Sequence, residues 1–185
     1  VIDWKAEGMA AALERSRRLL TQRQPIFEAG FSAGGGLAFA DVMLPASEGQ
    51  EPAWKMVEVK SSTSVKRYQE DDVAIQSHIA KASGINLCAA TIAHLDVTWV
   101  YPGNGDYNGL LVEKDITEAA CARGAEVAAW IAEAHKVAAL AEPPAIAQGP
   151  QCGTPFPCGF RARCSRALPE TEFPVTWLPH GSSGT

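Results

Sequence analysis

Apolar residues recur at helical spacing near the N-terminus and then give way to short runs that are typical of strands. Residues 5–22 repeat their apolar positions at the helical period, which predicts an amphipathic helix that ends before Pro25. Three strands are predicted next, over residues 25–32, 37–44 and 53–60. A glycine turn separates the first two strands, Pro45 ends the second, and the polar stretch 45–52 is expected to form a hairpin loop.

A second helix and a second set of strands are expected in the middle of the chain. The helix is predicted to begin at Asp71 or Asp72 and to run to about Ser83, where Gly84 closes it. Two β-rich segments and a glycine-rich loop are predicted after it, over residues 86–93, 97–101 and 102–105.

The last regular region is rich in alanine. Asp115 and Glu118 have the spacing of a capping box, which predicts a helical region that Gly124 interrupts and that ends before Pro143. The resulting order, α-β-β-β-α-β-β-α, predicts a mixed α/β (α+β) domain with a central mixed sheet flanked by helices. Two regions are therefore expected, a folded domain over 1–142 and a Cys-rich C-terminal tail over 143–185.

Composition and charge narrow the class of protein. Hydrophobic residues make up 46% of the chain and charged residues 20%, which is ordinary globular composition. No apolar run approaches the roughly 20 residues of a membrane helix, and no secretory signal is present, so we expect a cytoplasmic protein with no membrane partner. The chain begins at Val1 rather than Met, which favours a piece of a longer protein with further domains. The net charge of −5 argues against a simple electrostatic DNA binder, although carboxylates that hold a metal lower the charge themselves.

Two predicted strands carry acidic residues on faces that a hairpin would bring together. Alternation puts Asp41 on the same face of its strand as Met43, and Glu58 on the same face as Lys60. Pairing Asp41 with Glu58 sets Leu44 opposite Lys55 and leaves residues 45–54 as the connection.

Adjacent carboxylates on a sheet repel each other unless a cation lies between them. Mg²⁺ prefers oxygen ligands, and an ammonium group such as that of Lys60 can orient an attacking water or stabilise charge on a phosphate. The alternative is a cross-strand ion pair with no chemistry, at the exposed end of a sheet.

The order of these residues resembles the RecB-like branch of the PD-(D/E)XK nucleases. It is similar to the iron–sulfur nucleases of CRISPR adaptation and to an uncharacterised bacterial domain family of that branch. The resemblance spans residues 25–164. The matching segments are Pro25–Ala29, Trp54–Val65, Asp72–Gln76, His94–Leu95 and Gly149–Cys164.

This resemblance implies a restriction-endonuclease-like αβββαβ core and a Mg²⁺- or Mn²⁺-dependent deoxyribonuclease. Asp41, Glu58 and the Val59 carbonyl would be the metal ligands and Lys60 the catalytic lysine. Gln76 matches the glutamine that helps position the site or the nucleic acid. Relatives often show Gln-x-x-x-Tyr, and here the last position is Ala80.

Two of the polar candidates have equally simple structural explanations. Gln76 falls in the apolar stripe of its predicted helix, where a buried amide satisfied by backbone is the alternative to a site residue. Glu28 lies on the first predicted strand. It is either a further metal ligand, a residue that contacts the metal ligands from behind, or a surface glutamate on an edge strand.

Cys152, Cys158 and Cys164 are evenly spaced in the Pro/Gly-rich tail. A [4Fe–4S] cluster normally takes four thiolates. The resemblance implies that the fourth cysteine lies in an N-terminal segment that precedes this chain, so the cluster is expected in the full-length protein. Zn²⁺ held by three cysteines and another ligand, and three unligated cysteines, remain alternatives.

Two functions from different classes stay open on the sequence. The first is a metal-dependent nuclease acting on DNA, with RNA not excluded as a substrate. The second is a catalytically silent nucleic-acid-binding or interaction module with the same fold. The complete set of Asp41, Glu58 and Lys60 favours the enzyme, whereas the negative net charge favours the module.

Overall fold

A computed structural model describes residues 1–166 and 172–173. The chain divides into two compact units, Val1–Ala138 and Ala139–Thr185, where the sequence prediction set the boundary after residue 142. Among the described residues, none of the helices combines the length and the apolar character needed to cross a bilayer.

The first unit is an α+β fold around one five-stranded mixed sheet. Its strands are β1 (Ile26–Ala33), β2 (Gly36–Glu48), β3 (Glu51–Lys60), β4 (Leu87–Leu95) and β5 (Leu111–Asp115). Its helices are α1 (Trp4–Glu7), α2 (Met9–Thr21), α3 (Arg67–Ala82), α4 (Thr117–Ala122) and α5 (Gly124–Ala138). The strands are ordered β1-β2-β3-β4-β5; β3 and β4 pair in parallel and the other neighbours pair antiparallel. The predicted mixed sheet flanked by helices is thus confirmed.

The core lies between the sheet and α3, which contacts β1, β2 and β4. Met43, Met56 and Ile92 come from the three central strands, and Val73 and Ile79 come from α3; all five are about fully buried. The buried positions of α3 follow its 3.6-residue period, so one apolar face of the helix covers the sheet. The edge strand β1 is held by α2, because the buried hydroxyl of Ser16 accepts a hydrogen bond from the Gly30 N–H.

Two predicted boundaries near the N-terminus are wrong for local reasons. The single helix expected over 5–22 is two helices, because Gly8 has φ +86° and breaks the helical path. The strand expected to stop at Pro45 continues to Glu48, so the hairpin loop shrinks to the turn at residues 49–50. Proline is tolerated there because β1 pairs with β2 only as far as Met43, and Pro45 therefore needs no N–H partner on that side.

The predicted start of the third helix and the last predicted strand also need correction. Helix α3 begins at Arg67 rather than at Asp71 or Asp72, because the Gln69 side chain accepts a hydrogen bond from the Lys66 N–H and forms the first turn earlier. Residues 97–101 form no strand. The fifth strand is Leu111–Asp115 instead, an edge strand whose residues are all exposed and which therefore lacks an apolar alternation.

The alanine-rich helical region breaks near Gly124, as predicted. The expected capping box at its start does not form. Asp115 instead accepts hydrogen bonds from the backbone N–H and the hydroxyl of Thr117, at 2.8 and 2.6 Å. The described part of the second unit contains a 3-10 turn over Pro150–Cys152 and a short helix, α6, over Arg161–Arg166.

Candidate active site

Three neighbouring strands place one carboxylate each at the same level of the sheet. The β2–β3 pairing runs through Leu44–Lys55 and ends at Val42–Val57, so Asp41 and Glu58 are the next residue of each strand beyond the paired segment, close enough for the Asp41 charge to act on Glu58. The predicted pairing of Leu44 with Lys55 is therefore confirmed. On the other side of β2, the β1 register sets Glu28 opposite Asp41. Glu28, Asp41 and Glu58 thus form a row across β1, β2 and β3.

Glu58 is the most buried carboxylate of the row, with 6% of its surface exposed. Its side chain lies under α3. One oxygen, Oε1, accepts a hydrogen bond from Lys60 Nζ at 2.8 Å, and the other, Oε2, accepts one from Gln76 Nε2 at 2.8 Å. Gln76 is therefore bound to a carboxylate rather than to the backbone. The two neighbours fix the orientation of the Glu58 carboxylate from both sides.

Lys60 lies between two acidic residues. Its Nζ donates to Glu58 Oε1 at 2.8 Å and to Asp72 Oδ2 at 3.0 Å. Burial acts to lower the pKa of Lys60, but the hydrogen bonds to Glu58 and Asp72 outweigh it and raise the pKa above its usual value. Lys60 is consequently a cation at neutral pH, which makes it available as a fixed positive charge rather than as a base.

Asp41 links β2 to β3 through its side chain. Its Oδ2 accepts a hydrogen bond from the backbone N–H of Val59 at 2.6 Å. Val59 itself is 39% exposed, so this part of β3 faces solvent on the side opposite Glu58. The structure therefore brings Asp41, Glu58, Val59, Lys60 and Gln76 together at one place.

The row of carboxylates carries unbalanced negative charge. Burial raises the pKa of Glu58, outweighing the hydrogen bonds from Lys60 and Gln76, and the charge of Asp41 raises it further. Burial also raises the pKa of Glu28, again with a contribution from Asp41. Each of these two acids is thus harder to ionise than an isolated glutamate, and a cation beside Asp41 would offset the part of each shift that comes from the Asp41 charge.

Glu28 has an unusual backbone in the middle of an edge strand. Its φ is +60°, a left-handed value that costs a non-glycine residue on the order of 1–3 kcal/mol. The side chain is half-buried, and the charge of Asp41 acts on it. A simple surface glutamate would have no need of either feature.

Helix α3 supplies a residue that the sequence interpretation did not select. Asp72 and Gln76 lie one turn apart on the same helix face, and they contact Lys60 and Glu58, respectively. The signal was available in the sequence, because an acid four residues before Gln76 faces the same neighbour. From the sequence, Asp72 is named as a possible helix start and as the first residue of a matching segment, and not as a site residue.

The segment between β3 and α3 is anchored on the same helix. Gln69, which is buried, donates from Nε2 to the hydroxyl of Ser62 at 3.1 Å, and that hydroxyl binds the Ser64 carbonyl. This network fixes the start of α3 relative to the end of β3.

The site offers hard oxygen ligands in a setting that suits a divalent cation. Within the described residues, no group of three or more His, Cys, Asp or Glu side chains is arranged to hold a metal. The implied set contains only two such side chains, Asp41 and Glu58, with a backbone carbonyl as the third ligand. Gln76 Oε1 is buried beside them without a hydrogen-bond partner among those residues, which leaves a polar atom for water or a cation's hydration shell. The donor chemistry fits Mg²⁺ or Mn²⁺.

Cys152, Cys158 and Cys164 belong to the second unit and are free thiols. The backbone N–H of Cys158 donates to the Cys152 carbonyl at 2.9 Å, which brings these two residues close along the chain path. In the part of the chain that is described, the three thiols do not form a metal-binding group. They also supply one ligand fewer than a [4Fe–4S] cluster normally takes, so these residues alone do not fit the cluster.

The chain matches no protein-family model, and no curated protein matches it.

Proposed function

We propose that this chain is a metal-dependent nuclease that hydrolyses phosphodiester bonds of DNA on a restriction-endonuclease-like core. The observation that carries the proposal is the arrangement of Asp41 and Glu58 on paired strands, with Lys60 Nζ fixed 2.8 Å from the buried carboxylate. Two acids that can hold a divalent cation, with an ammonium beside them, are groups that can catalyse phosphodiester hydrolysis.

Asp41, Glu58 and the Val59 carbonyl are the ligands in this proposal. When bound, Mg²⁺ or Mn²⁺ supplies positive charge that polarises a phosphoryl oxygen and makes water more acidic. Glu58 is suited to hold the cation because Lys60 and Gln76 already fix its orientation, so little side-chain freedom is lost on binding.

Lys60 acts as a positioned cation. Its raised pKa keeps the ammonium charged, which suits it to orient a water by hydrogen bonding and to stabilise negative charge as it develops on the phosphate. Asp72 is a positioning residue, because it holds the ammonium from the α3 side and reaches the site only through Lys60.

A catalytically silent binding module is the second candidate, and one observation favours it. Lys60 is fully engaged by Glu58 and Asp72, and such a network can serve stability alone. A titration of the purified chain with Mn²⁺ separates the two functions. If the chain is a nuclease, it binds Mn²⁺ and Asp41→Ala weakens that binding. If the chain is a silent module, it binds no Mn²⁺ at this site.

The direct test is incubation of the purified chain with supercoiled, linear and single-stranded DNA, and with RNA, in Mn²⁺. We expect cleavage of DNA that EDTA abolishes. Cleavage that persists in EDTA, or no cleavage of any substrate in Mn²⁺ or Mg²⁺, would overturn the proposal. The pattern of products distinguishes endonucleolytic from exonucleolytic cutting.

A further inference from the structure

The connection between β4 and β5 folds around three aromatic rings. This segment, residues 96–110, is called the aromatic loop below. The ring centroids of Tyr101 and Tyr107 lie 5.3 Å apart at 21°, and those of Trp99 and Tyr107 lie 6.2 Å apart at 21°. Both geometries are stacked. The cluster explains why residues 97–101, which are rich in β-forming types, do not become a strand.

Backbone groups of the aromatic loop hold two of the rings in place. Trp99 Nε1 donates to the Asn108 carbonyl at 2.8 Å, and the Tyr101 hydroxyl accepts from the Gly105 N–H at 2.8 Å. Trp99 also lies against Gly109, where an added Cβ would approach its ring to 3.5 Å. The rings are thus ordered before any ligand arrives, which lowers the entropic cost of binding one.

The ordered rings remain open to solvent. Tyr101 is 49% exposed and Tyr107 is 61% exposed, and the intervening Val100 is 83% exposed. A loop that served only to join β4 to β5 would gain stability by burying these rings against the sheet. Exposed aromatic faces at fixed positions are instead typical of binding surfaces.

The aromatic loop leaves the sheet beside the candidate active site. Lys60, at the end of β3, pairs with His94, and Leu95 N–H donates to the Ser62 carbonyl at 3.0 Å. Because β3 and β4 are parallel, their C-terminal ends lie at the same edge of the sheet. The aromatic loop therefore begins at the edge where Lys60 lies.

The charge of the aromatic loop indicates which part of a nucleic acid it would contact. The loop contains two acids and no lysine or arginine, so it has no cationic side chain to attract phosphates. Both acids bind their own loop, Asp96 through the Thr98 N–H and hydroxyl and Asp106 through the Asn108 N–H. What the loop offers to a ligand is ring faces, which suit flat, apolar groups such as bases.

We propose that the aromatic loop is a stacking surface for the unpaired bases of a DNA strand that enters the active site. The choice of DNA as the partner rests on the nuclease proposal, whereas the stacking geometry stands independently of it. In a duplex the base faces are already stacked on one another, so a ring surface of this kind selects single-stranded segments.

The test is a binding assay without metal, so that cutting plays no part. A labelled single-stranded oligothymidine of about twelve nucleotides is titrated with the full chain in EDTA and followed by fluorescence anisotropy. We expect Tyr107→Ala to weaken binding by about fivefold or more, because one stacked base loses its ring. Tyr107→Phe keeps the ring and should bind as the parent chain does. Val100→Ala, in the same loop, is the matched control and should leave binding unchanged.

An abasic oligonucleotide of the same length and a blunt duplex separate stacking from phosphate attraction. Both should bind more weakly than the oligothymidine. Equal binding of the abasic strand, or equal binding by Tyr107→Ala and the parent chain at unchanged thermal stability, would overturn the inference, as would no binding by the parent chain. Ring-dependent binding by a chain that does not cut DNA in Mn²⁺ would leave the stacking surface standing and refute the nuclease proposal instead.

Discussion

Replacing Lys60 with methionine tests whether Glu58 is charged in the folded state and whether the Lys60 ammonium stabilises that charge. The substitution keeps the aliphatic stem and removes the ammonium that lies 2.8 Å from Glu58 Oε1. A hydrogen bond to a charged group contributes about 1.5–3 kcal/mol, and breaking a fully buried pair costs about 3–5 kcal/mol. Because the Lys60 side chain is 22% exposed, water can partly replace it. We therefore expect the free energy of unfolding to fall by about 2 kcal/mol at about pH 8.

The loss should depend on pH with a defined sign. The pKa of Glu58 is raised by burial, so the folded state holds its proton more tightly than the unfolded state. Its contribution to stability is then complete below the unfolded pKa and is lost as the pH rises through the folded pKa. Without Lys60 the folded pKa rises further. The penalty of Lys60→Met should therefore be smaller at about pH 5 than at about pH 8, because protonation of Glu58 removes the need for a counter-charge.

Urea unfolding at the two pH values measures the effect, with metal removed by EDTA. Lys114→Met is a matched control, because it breaks an exposed ion pair with Glu70 and should cost about 0–1 kcal/mol at either pH. The double variant Glu58→Gln with Lys60→Met should recover much of the loss. A loss for Lys60→Met no larger than that of the control, or equal at both pH values, would refute the account of Glu58.

Three further predictions address the other residues of the site. Asp72→Asn should slow DNA cleavage by about 10- to 100-fold through kcat, with KM unchanged, because Lys60 loses one of its two anchors; a change confined to KM would contradict this. Glu28→Gly should raise the free energy of unfolding by about 1 kcal/mol in urea, because glycine accepts φ +60° and the repulsion of Asp41 disappears; a loss of stability would contradict it. Calorimetry should find weaker Mg²⁺ binding in Asp41→Ala and Glu58→Ala and unchanged binding in Lys60→Ala, and equal binding in all three would remove the ligand assignment.

The sequence predicted the central part of the fold because alternation is strongest where strands are half-buried. The faces of β2 and β3 follow from Asp41 and Glu58 alternating with Met43 and Met56, which both enter the core, but the sequence does not fix the β2–β3 register, because a shift of two residues keeps the same faces. β5 escaped prediction because an exposed edge strand has no such alternation.

Only some residues of the candidate active site could be predicted from the sequence, and the reason differs from that for the fold. Asp41, Glu58, Lys60 and Gln76 could be chosen by residue type and order, and the structure brings them together. Asp72 was missed because its role depends on the tilt of α3 over the sheet, which local patterns do not define. The left-handed backbone of Glu28 could not be predicted from the sequence either, because glutamate is not a residue type that indicates a turn. The Ala-Gly pair that follows Glu28 does not change this.

Cleavage of DNA by three single variants tests the central claim most directly. Asp41→Ala and Glu58→Ala each remove a carboxylate from the row, and both should abolish Mn²⁺-dependent cutting of a substrate that the parent chain cuts. Lys60→Ala should retain the metal but lose its positioned charge, which slows cutting by about a hundred- to a thousandfold. Circular dichroism should show all three folded. If all three variants cut as fast as the parent chain, the activity does not arise from these residues and the assignment of the active site is wrong.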